Sequence, residues 1–132
     1  MMSSARMATQ LVCSLPTRVG LLADIAETLR QANVNVIAIS AYERDGEAKF
    51  LLVTSDNAQA AGALGRFNAD VREKSIVLVD MPNKAGALED VAKKIAEAGV
   101  NVEYSYGTAG AADTATVVFK PADDAKVANL FG

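Results

Sequence analysis

Two short segments place a basic side chain and a glycine just before an amphipathic helix. Arg18 and Gly20 form the first pair, and Lys84 and Gly86 form the second pair 66 residues later. A helix N-terminus offers unpaired backbone N–H groups and a partial positive charge. A glycine has no Cβ, so a ligand can approach the backbone closely. Such a loop is suited to bind a carboxylate, although the glycine could equally serve only a tight turn, and the basic side chain could be merely solvated.

The two segments belong to a longer repeat. Residues 16–36 and 82–102 are identical at nine of 21 aligned positions, whereas about one match is expected from average composition. Near the end of each copy an asparagine opens the next strand, Asn35 in the first copy and Asn101 in the second. A side-chain amide can both donate and accept hydrogen bonds, so these residues either contact a ligand or only satisfy the loop backbone. The chain is therefore interpreted as a tandem duplication.

The sequence contains few of the residues and motifs that are typical of enzymes. It contains no histidine and a single cysteine, Cys13, which lies in an apolar run and has no base to activate it. No phosphate-binding glycine motif and no metal-ligand spacing occur. The neighbouring carboxylates Glu89 and Asp90 point apart on a helix, as do Asp123 and Asp124. We therefore expect no catalytic residues, no metal and no cofactor.

Composition indicates a globular cytoplasmic protein. The 132 residues are 51% hydrophobic and carry a net charge of −3, which argues against a nucleic-acid partner. No apolar run approaches the ~20 residues of a membrane span, and residues 1–7 lack the apolar core of a signal peptide. A lone cysteine forms no internal disulfide, which fits a reducing compartment.

The first half predicts the order βαββαβ of a ferredoxin-like unit. Its helix after the loop has an apolar stripe at Leu22, Ile25, Ala26 and Leu29. Thr17 is a plausible N-cap of that helix, and Asp45-Gly46 predicts a hairpin. The predicted strands cover residues 9–15, 34–43, 48–54 and 69–74, and the second helix begins at Ser55 or Asp56 and runs to about residue 65.

The second half repeats this order, with a helix at residues 85–98 whose stripe is Leu88, Val91, Ala92 and Ile95. The predicted strands cover residues 75–81, 101–106 and 114–120, and a last helix spans about 122–130. By the repeat offset a fourth strand would fall near 135–141, so the second sheet should lose an edge strand or borrow one. We therefore predict a frayed terminus at residues 1–8, a first repeat at 9–74, and a second repeat at 75–132 that lacks its final strand.

Three predicted strands are apolar on both faces, at residues 50–53, 76–79 and 117–119. Helices cover only one face of a ferredoxin-like sheet, and an antiparallel strand with one exposed face should alternate polar and apolar residues. We therefore expect another sheet or another subunit to cover the second face. Because each half is also small for an independent domain, the two halves should share an interface or form a dimer. We predict a homodimer.

The motif Pro-x-[Arg/Lys]-x-Gly-x-Leu, followed by an apolar-striped helix and Ala-[Asn/Gly]-Val-Asn-Val, resembles the ACT domain. The resemblance covers roughly residues 9–74 and 75–130 and implies an α+β fold of two tandem ACT-like repeats. It also implies a regulatory module that binds a free amino acid where two modules meet, with one module contributing the loop and the other the strand start. The implied ligand-binding residues are Arg18, Val19, Gly20, Leu21, Asn35, Val36, Lys84, Ala85, Gly86, Ala87, Asn101 and Val102.

Two hypotheses about function follow. In the first, the protein is a non-catalytic sensor that binds an amino acid at an interface between ACT-like modules, and a metabolic enzyme or signalling protein responds to it. In the second, it is an interaction module without a ligand, or a regulatory subunit of an enzyme of amino-acid metabolism. The second hypothesis is favoured by Thr17 and Asn83, and by Val19 and Ala85, which stand where the family commonly has aspartate and proline.

Overall fold

The computed structural model describes residues 3–108 and 112–131 and shows an α+β fold with antiparallel strand pairs. The helices and strands are named in chain order. They are β1 (Ser4–Pro16), α1 (Leu21–Gln31), β2 (Val36–Arg44), β3 (Glu47–Thr54), α2 (Asn57–Leu64), a 3₁₀ turn (Gly65–Phe67), β4 (Asp70–Pro82), α3 (Ala87–Glu97), β5 (Val102–Gly107), β6 (Thr114–Pro121) and α4 (Asp124–Phe131).

The chain forms two compact units, and two long strands contribute to both. The first unit is Thr9–Lys74, and the second unit joins Met1–Ala8 to Ser75–Gly132. The strands predicted at 69–74 and 75–81 are one uninterrupted strand, β4. The strand order within the first unit is β2-β3-β1-β4, and within the second it is β1-β4-β6-β5.

The prediction of a frayed terminus at residues 1–8 is wrong for the residues that the structure describes there. β1 begins at Ser4, and residues 4–8 belong to the second unit; Met1 and Met2 lie outside the described residues. Ala5 packs against the core of that unit, and the Arg6 guanidinium lies 2.6 Å from the Asp80 carboxylate. The second unit thus borrows an edge strand from the N-terminus, because backbone pairing and these contacts compensate the entropy of ordering the segment.

The first unit has a core beneath α1 and α2. From α1 it takes Leu21, Ile25, Thr28 and Leu29, whereas Leu22 is 54% exposed and Ala26 is exposed. The predicted stripe was therefore wrong at Leu22 and Ala26. The helix begins at Leu21, and the positions i, i+4 and i+8 face the sheet, which turns Leu22 to the outside.

In the second unit, the buried face of α3 has the same position relative to the start of the helix as that of α1. Ala87, Val91 and Ile95 of α3 are buried, while Leu88 is 55% exposed and Ala92 is exposed. The prediction was right for Val91 and Ile95 and wrong for Leu88 and Ala92. Both helices thus present an outward leucine close to their first turn.

The strands that are apolar on both faces are largely buried within this chain. All four residues of 50–53 and all four of 76–79 are buried, as are Val118 and Phe119, while Val117 is half-buried. No second subunit is needed to cover them. These strands therefore give no argument for a dimer.

Local signals at several turns are confirmed. Asp45 and Gly46 both have positive φ, 53° and 80°, which closes the β2–β3 hairpin. The Asp56 carboxylate accepts a hydrogen bond from the Gln59 N–H at 3.0 Å and caps α2. Among the described residues, no helix has the length and apolar character to span a membrane.

Candidate functional site

The two glycine loops have nearly the same backbone geometry. Gly20 caps α1 with φ 84° and ψ 0°, and Gly86 caps α3 with φ 89° and ψ −16°. No side chain of the described residues caps either helix, so the prediction that Thr17 is the N-cap of α1 is wrong. Thr17 lies too early in the loop, where its N–H donates to the Gly46 carbonyl at 2.9 Å.

The glycines are explained by backbone conformation. A Cβ built on Gly20 or on Gly86 would meet no atom within 4 Å, so no close approach of other protein atoms excludes a side chain. A φ near +85° is unfavourable for any residue with a Cβ. The turn alone therefore accounts for both glycines, and it leaves the helix N-terminus open to solvent.

The first loop borders a cavity of about 320 Å³ in the first unit. Its wall is formed by the loop, the start of α1 and the hairpin end of β2 and β3. The lining residues are Thr17, Arg18, Gly20, Leu21, Leu22, Ala23, Ala41, Tyr42, Glu43, Ala48 and Phe50.

Arg18 is already paired inside this loop. Its Nη2 lies 2.6 Å from Oδ2 of Asp24 on the first turn of α1, and its Nη1 donates to the Val19 carbonyl at 3.4 Å. The side chains of Arg18 and Asp24 are 52% and 42% exposed, so solvent screens the pair. The pair nevertheless places a carboxylate beside the cation that would otherwise attract an anionic ligand.

The second loop borders a cavity of about 360 Å³ in the second unit. Its wall has the same origin as in the first unit: loop, helix start and the far end of the following strands. The lining residues are Met81, Pro82, Asn83, Lys84, Ala87, Leu88, Ser105, Tyr106, Gly107, Thr108, Ala115 and Val117.

The second cavity differs from the first in its charge. Within the described parts of the chain, no carboxylate lies within ion-pair distance of Lys84, and Asp90 stands where the first unit has Asp24. The Asn83 side chain donates to the Ala112 carbonyl at 2.9 Å and fixes the loop. Burial, with a smaller contribution from Tyr104, raises the pKa of Tyr106 above its ordinary value, so its hydroxyl is protonated at neutral pH. The cavity therefore combines one ammonium group with neutral polar residues and apolar walls.

The predicted asparagines lie away from these cavities. Asn35 precedes β2, where its N–H donates to Ser55 Oγ and its carbonyl accepts the Ser55 N–H, each at 2.9 Å. The Asn101 carbonyl accepts the Ala122 N–H at 2.9 Å. Neither residue lines the loop cavity of its own unit. The helix runs back along the sheet, so the loop and the following strand start occupy opposite ends of a unit.

The other predicted site residues divide into two groups. Leu21 and Ala87 are buried core residues whose edges line the cavities, whereas Val19 and Ala85 are exposed and do not line them. Val36 and Val102 are partly buried against the two cores. Sequence reasoning missed Leu22 and Leu88 as cavity residues because it assigned them to the core. Their occurrence at the same place in both copies was the available signal.

Cys13 and the acidic side chains were the remaining candidates for cysteine or metal chemistry. Cys13 is buried, and burial, with a smaller contribution from Asp70, raises its pKa to about 11, so the thiol is protonated at neutral pH. Among the described residues, no three histidine, cysteine, aspartate or glutamate side chains form a group that could hold a metal ion.

Comparison with known proteins gives a family match within the first unit. The ACT domain family model matches residues 9–72, which span nearly all of that unit. No curated protein matches the chain.

Solved structures show the same fold over nearly the full chain. Protein BT0572 from Bacteroides thetaiotaomicron is 29% identical, with a TM-score of 0.86 over 96% of this chain and 87% of that one. The regulatory subunit of aspartate kinase from Thermus thermophilus is 14% identical, with a TM-score of 0.67 over 95% and 94%. Aspartokinase III from E. coli, in complex with lysine and aspartate, is 18% identical, with a TM-score of 0.57 over 97% of this chain and 31% of that one.

Proposed function

We propose that the chain is a pair of tandem ACT modules that acts as a non-catalytic regulatory protein and binds a free amino acid at its glycine loops. The first module is residues 9–74. The second is residues 75–132 together with the N-terminal segment of β1. The single observation that carries the proposal is the recurrence of one loop geometry, an uncapped helix N-terminus behind a glycine of positive φ, beside a cavity in each unit.

The physical fit to an amino acid rests on three features of the second cavity. The N-terminus of α3 and the Lys84 ammonium favour a carboxylate. Leu88 and Val117 offer apolar walls to a side chain. The cavity volume of about 360 Å³ is at the lower end of small-molecule sites. The second loop is the better site, because Arg18 is paired with Asp24, whereas no carboxylate of the described residues pairs with Lys84.

The predicted residues at the two strand starts could contact a ligand only across an interface between two modules. They are Asn35, Val36, Asn101 and Val102. Each would meet the loop of a neighbouring module, since its own loop lies at the other end of the unit. Ligand bound in this way would join two modules, and an enzyme of amino-acid metabolism or a signalling protein would respond to the change. This role fits a cytoplasmic protein.

A thermal-shift screen with the free amino acids at millimolar concentration tests the proposal. A ligand present at 100 times its Kd stabilises the folded state by about 2.7 kcal/mol, which a melting curve detects. Lys84→Gln should weaken binding by about five- to tenfold, as expected for loss of one charged contact. Lys126→Gln, on the exposed surface of α4, serves as the control and should bind like the wild type.

Two outcomes would refute the proposal. One is that no amino acid raises the melting temperature. The other is that Lys84→Gln and Arg18→Gln both bind as the wild type does. Asp24→Asn adds a further check, because it frees Arg18 and should increase binding at the first loop.

A second candidate function, assembly without a ligand, is favoured by an exposed apolar edge. β2 is an outer strand of the first unit, and its Ile37 and Ile39 are 41% and 44% exposed. The corresponding residues of β5, an outer strand of the second unit, are the polar Glu103 and Ser105. Charged side chains protect strand edges from pairing, whereas apolar ones invite it. We propose that a homodimer forms through β2.

Sedimentation of matched variants tests this second candidate. Ile37→Lys should convert a dimer into a monomer, and Glu103→Lys, at the corresponding place on β5, should leave it unchanged. A wild type that sediments only as a monomer would exclude the homodimer. A dimer whose stability does not depend on amino acids would favour assembly over sensing.

A further inference from the structure

A further cavity of the second unit adjoins the second loop cavity and shares three lining residues with it. It has a volume of about 700 Å³ and opens between α3 and α4. We refer to it as the α3–α4 groove. Its lining residues are Ser3, Pro82, Lys84, Ala87, Asp90, Val91, Lys93, Lys94, Glu97, Asn129, Leu130 and Phe131.

The groove has an apolar floor. Val91 and Ala87 are buried beneath it, and Leu130 and Phe131 at the end of α4 are half-buried and pack against the same core. Its volume is within the range of small-molecule sites, which are mostly apolar with a few polar groups. A ligand with an apolar body could therefore bury surface there.

The rim of the groove is rich in ammonium groups. The Lys93 ammonium lies 3.6 Å from the carboxylate of Glu89, a residue that does not line the groove. Lys94 lies over the Phe131 ring, 5.5 Å from its centroid. Over residues 3–108 and 112–131, neither Lys84 nor Lys94 has a carboxylate within ion-pair distance, although Asp90 and Glu97 also line the groove. Two cations thus flank an apolar floor without a salt-bridge partner.

The corresponding helix surface of the first unit is covered by the chain itself. Thr28 stands where the second unit has Lys94, and it is 4% exposed. Arg66 of the 3₁₀ turn donates from Nη1 to Thr28 Oγ1 at 3.1 Å, and its guanidinium lies 4.9 Å from the centroid of the Phe67 ring. A cation and an aromatic ring therefore meet on this helix face in both units, and in the second unit Lys94 and Phe131 both line the groove.

We propose that the α3–α4 groove is a second ligand site, which takes a small organic anion with an apolar body. The anionic group pairs with Lys94 and Lys84, and the apolar body lies on Phe131, Leu130 and Val91. An ammonium group already placed over an aromatic ring loses little side-chain freedom when an anion binds beside it. The proposal does not rest on amino-acid binding at the loops, although Lys84 lines both cavities.

The site can be tested separately from the loop cavities because only Pro82, Lys84 and Ala87 line both. Lys94 and Phe131 line the groove alone, and Leu88 lines the second loop cavity alone. The probe is anilinonaphthalene sulfonate, an aromatic anion whose fluorescence rises in apolar surroundings. It is titrated into the full chain and into the variants Lys94→Glu, Lys126→Glu and Leu88→Ser.

The expected result is saturable binding that Lys94→Glu weakens by about tenfold, while Lys126→Glu and Leu88→Ser leave it unchanged. Phe131→Ser should reduce the fluorescence of the bound probe, and Lys94→Glu, on the helix surface, keeps the test valid if Phe131→Ser does not fold. The proposal is overturned if the probe does not saturate, if Leu88→Ser weakens binding and Lys94→Glu does not, or if both lysine variants weaken it equally. Wild-type-like amino-acid titration of Lys94→Glu would show that the groove and the loops act independently.

Discussion

Replacing Gly86 by alanine should destabilise the protein by about 1–2 kcal/mol, through backbone strain alone. Gly86 has φ 89° and ψ −16°, and an added Cβ would find open space within 4 Å. No clash therefore contributes to the cost. The loss comes from holding an L-residue at positive φ, and it outweighs the small gain from restricting the unfolded chain.

Urea denaturation measures this cost against two comparison variants. Gly62→Ala in α2 also adds a methyl group in open space, but inside a helix and not at positive φ. It should stabilise the protein by up to about 1 kcal/mol. Gly86→Asn should lose less than Gly86→Ala, because asparagine visits the left-handed region more readily. If Gly86→Ala unfolds at the wild-type urea concentration, the conformational explanation for both loop glycines is wrong.

Two further predictions concern packing and pH. Leu21→Ala should lower the free energy of unfolding by about 2–5 kcal/mol because it creates a cavity in the core. Leu22→Ala, at an exposed position, should lower it by less than about 0.5 kcal/mol. Equal losses for the two variants in denaturant unfolding would refute the assignment of Leu21 to the core. Burial acts to raise the pKa of Asp80, but hydrogen bonds from Thr116 and Arg6 and the Arg6 charge outweigh it and lower that pKa. Asp80→Ala should therefore cost about 1–2 kcal/mol at neutral pH. The difference in unfolding free energy between Asp80→Ala and the wild type should shrink as the pH falls from about 4, the ordinary pKa of aspartate, through the lowered pKa of Asp80 in the folded state. A difference that grows in acid would contradict this prediction.

Much of the fold follows from local signals. Asp45 and Gly46 are residue types that tolerate the positive φ of a tight hairpin turn, and both have positive φ in the structure. Asp56 has a short side chain whose carboxylate can accept a hydrogen bond at the N-terminus of α2. Gly20 and Gly86 marked both loops correctly. Each of these features depends on the conformational preference of one or two residues, which a sequence displays directly.

The N-terminal strand could not be predicted in this way. Residues 4–8 have no strong strand pattern, and they are ordered by contacts with residues far along the chain, such as Asp80 with Arg6. The same limit applies to the phase of the helix stripes. Leu21 and Leu22 are equally apolar, and only the exact start of α1 decides which one faces the sheet.

The candidate site was predicted in part for a related reason. The loop residues are local, but the cavity walls come from the far ends of the following strands, which only the folded chain brings to the loop. The difference between Arg18 and Lys84 was also hidden, because both copies carry an aspartate six residues later and only the first forms the ion pair.

The central claim is that a free amino acid binds at the glycine loops, with the second loop preferred. The most direct measurement is a map of backbone amide chemical shifts while the stabilising amino acid is titrated into the labelled protein. The account predicts that the largest shifts occur at Gly86, Ala87 and Leu88, with smaller ones around Gly20. Shifts confined to other parts of the chain, or none at saturating concentration, would contradict it.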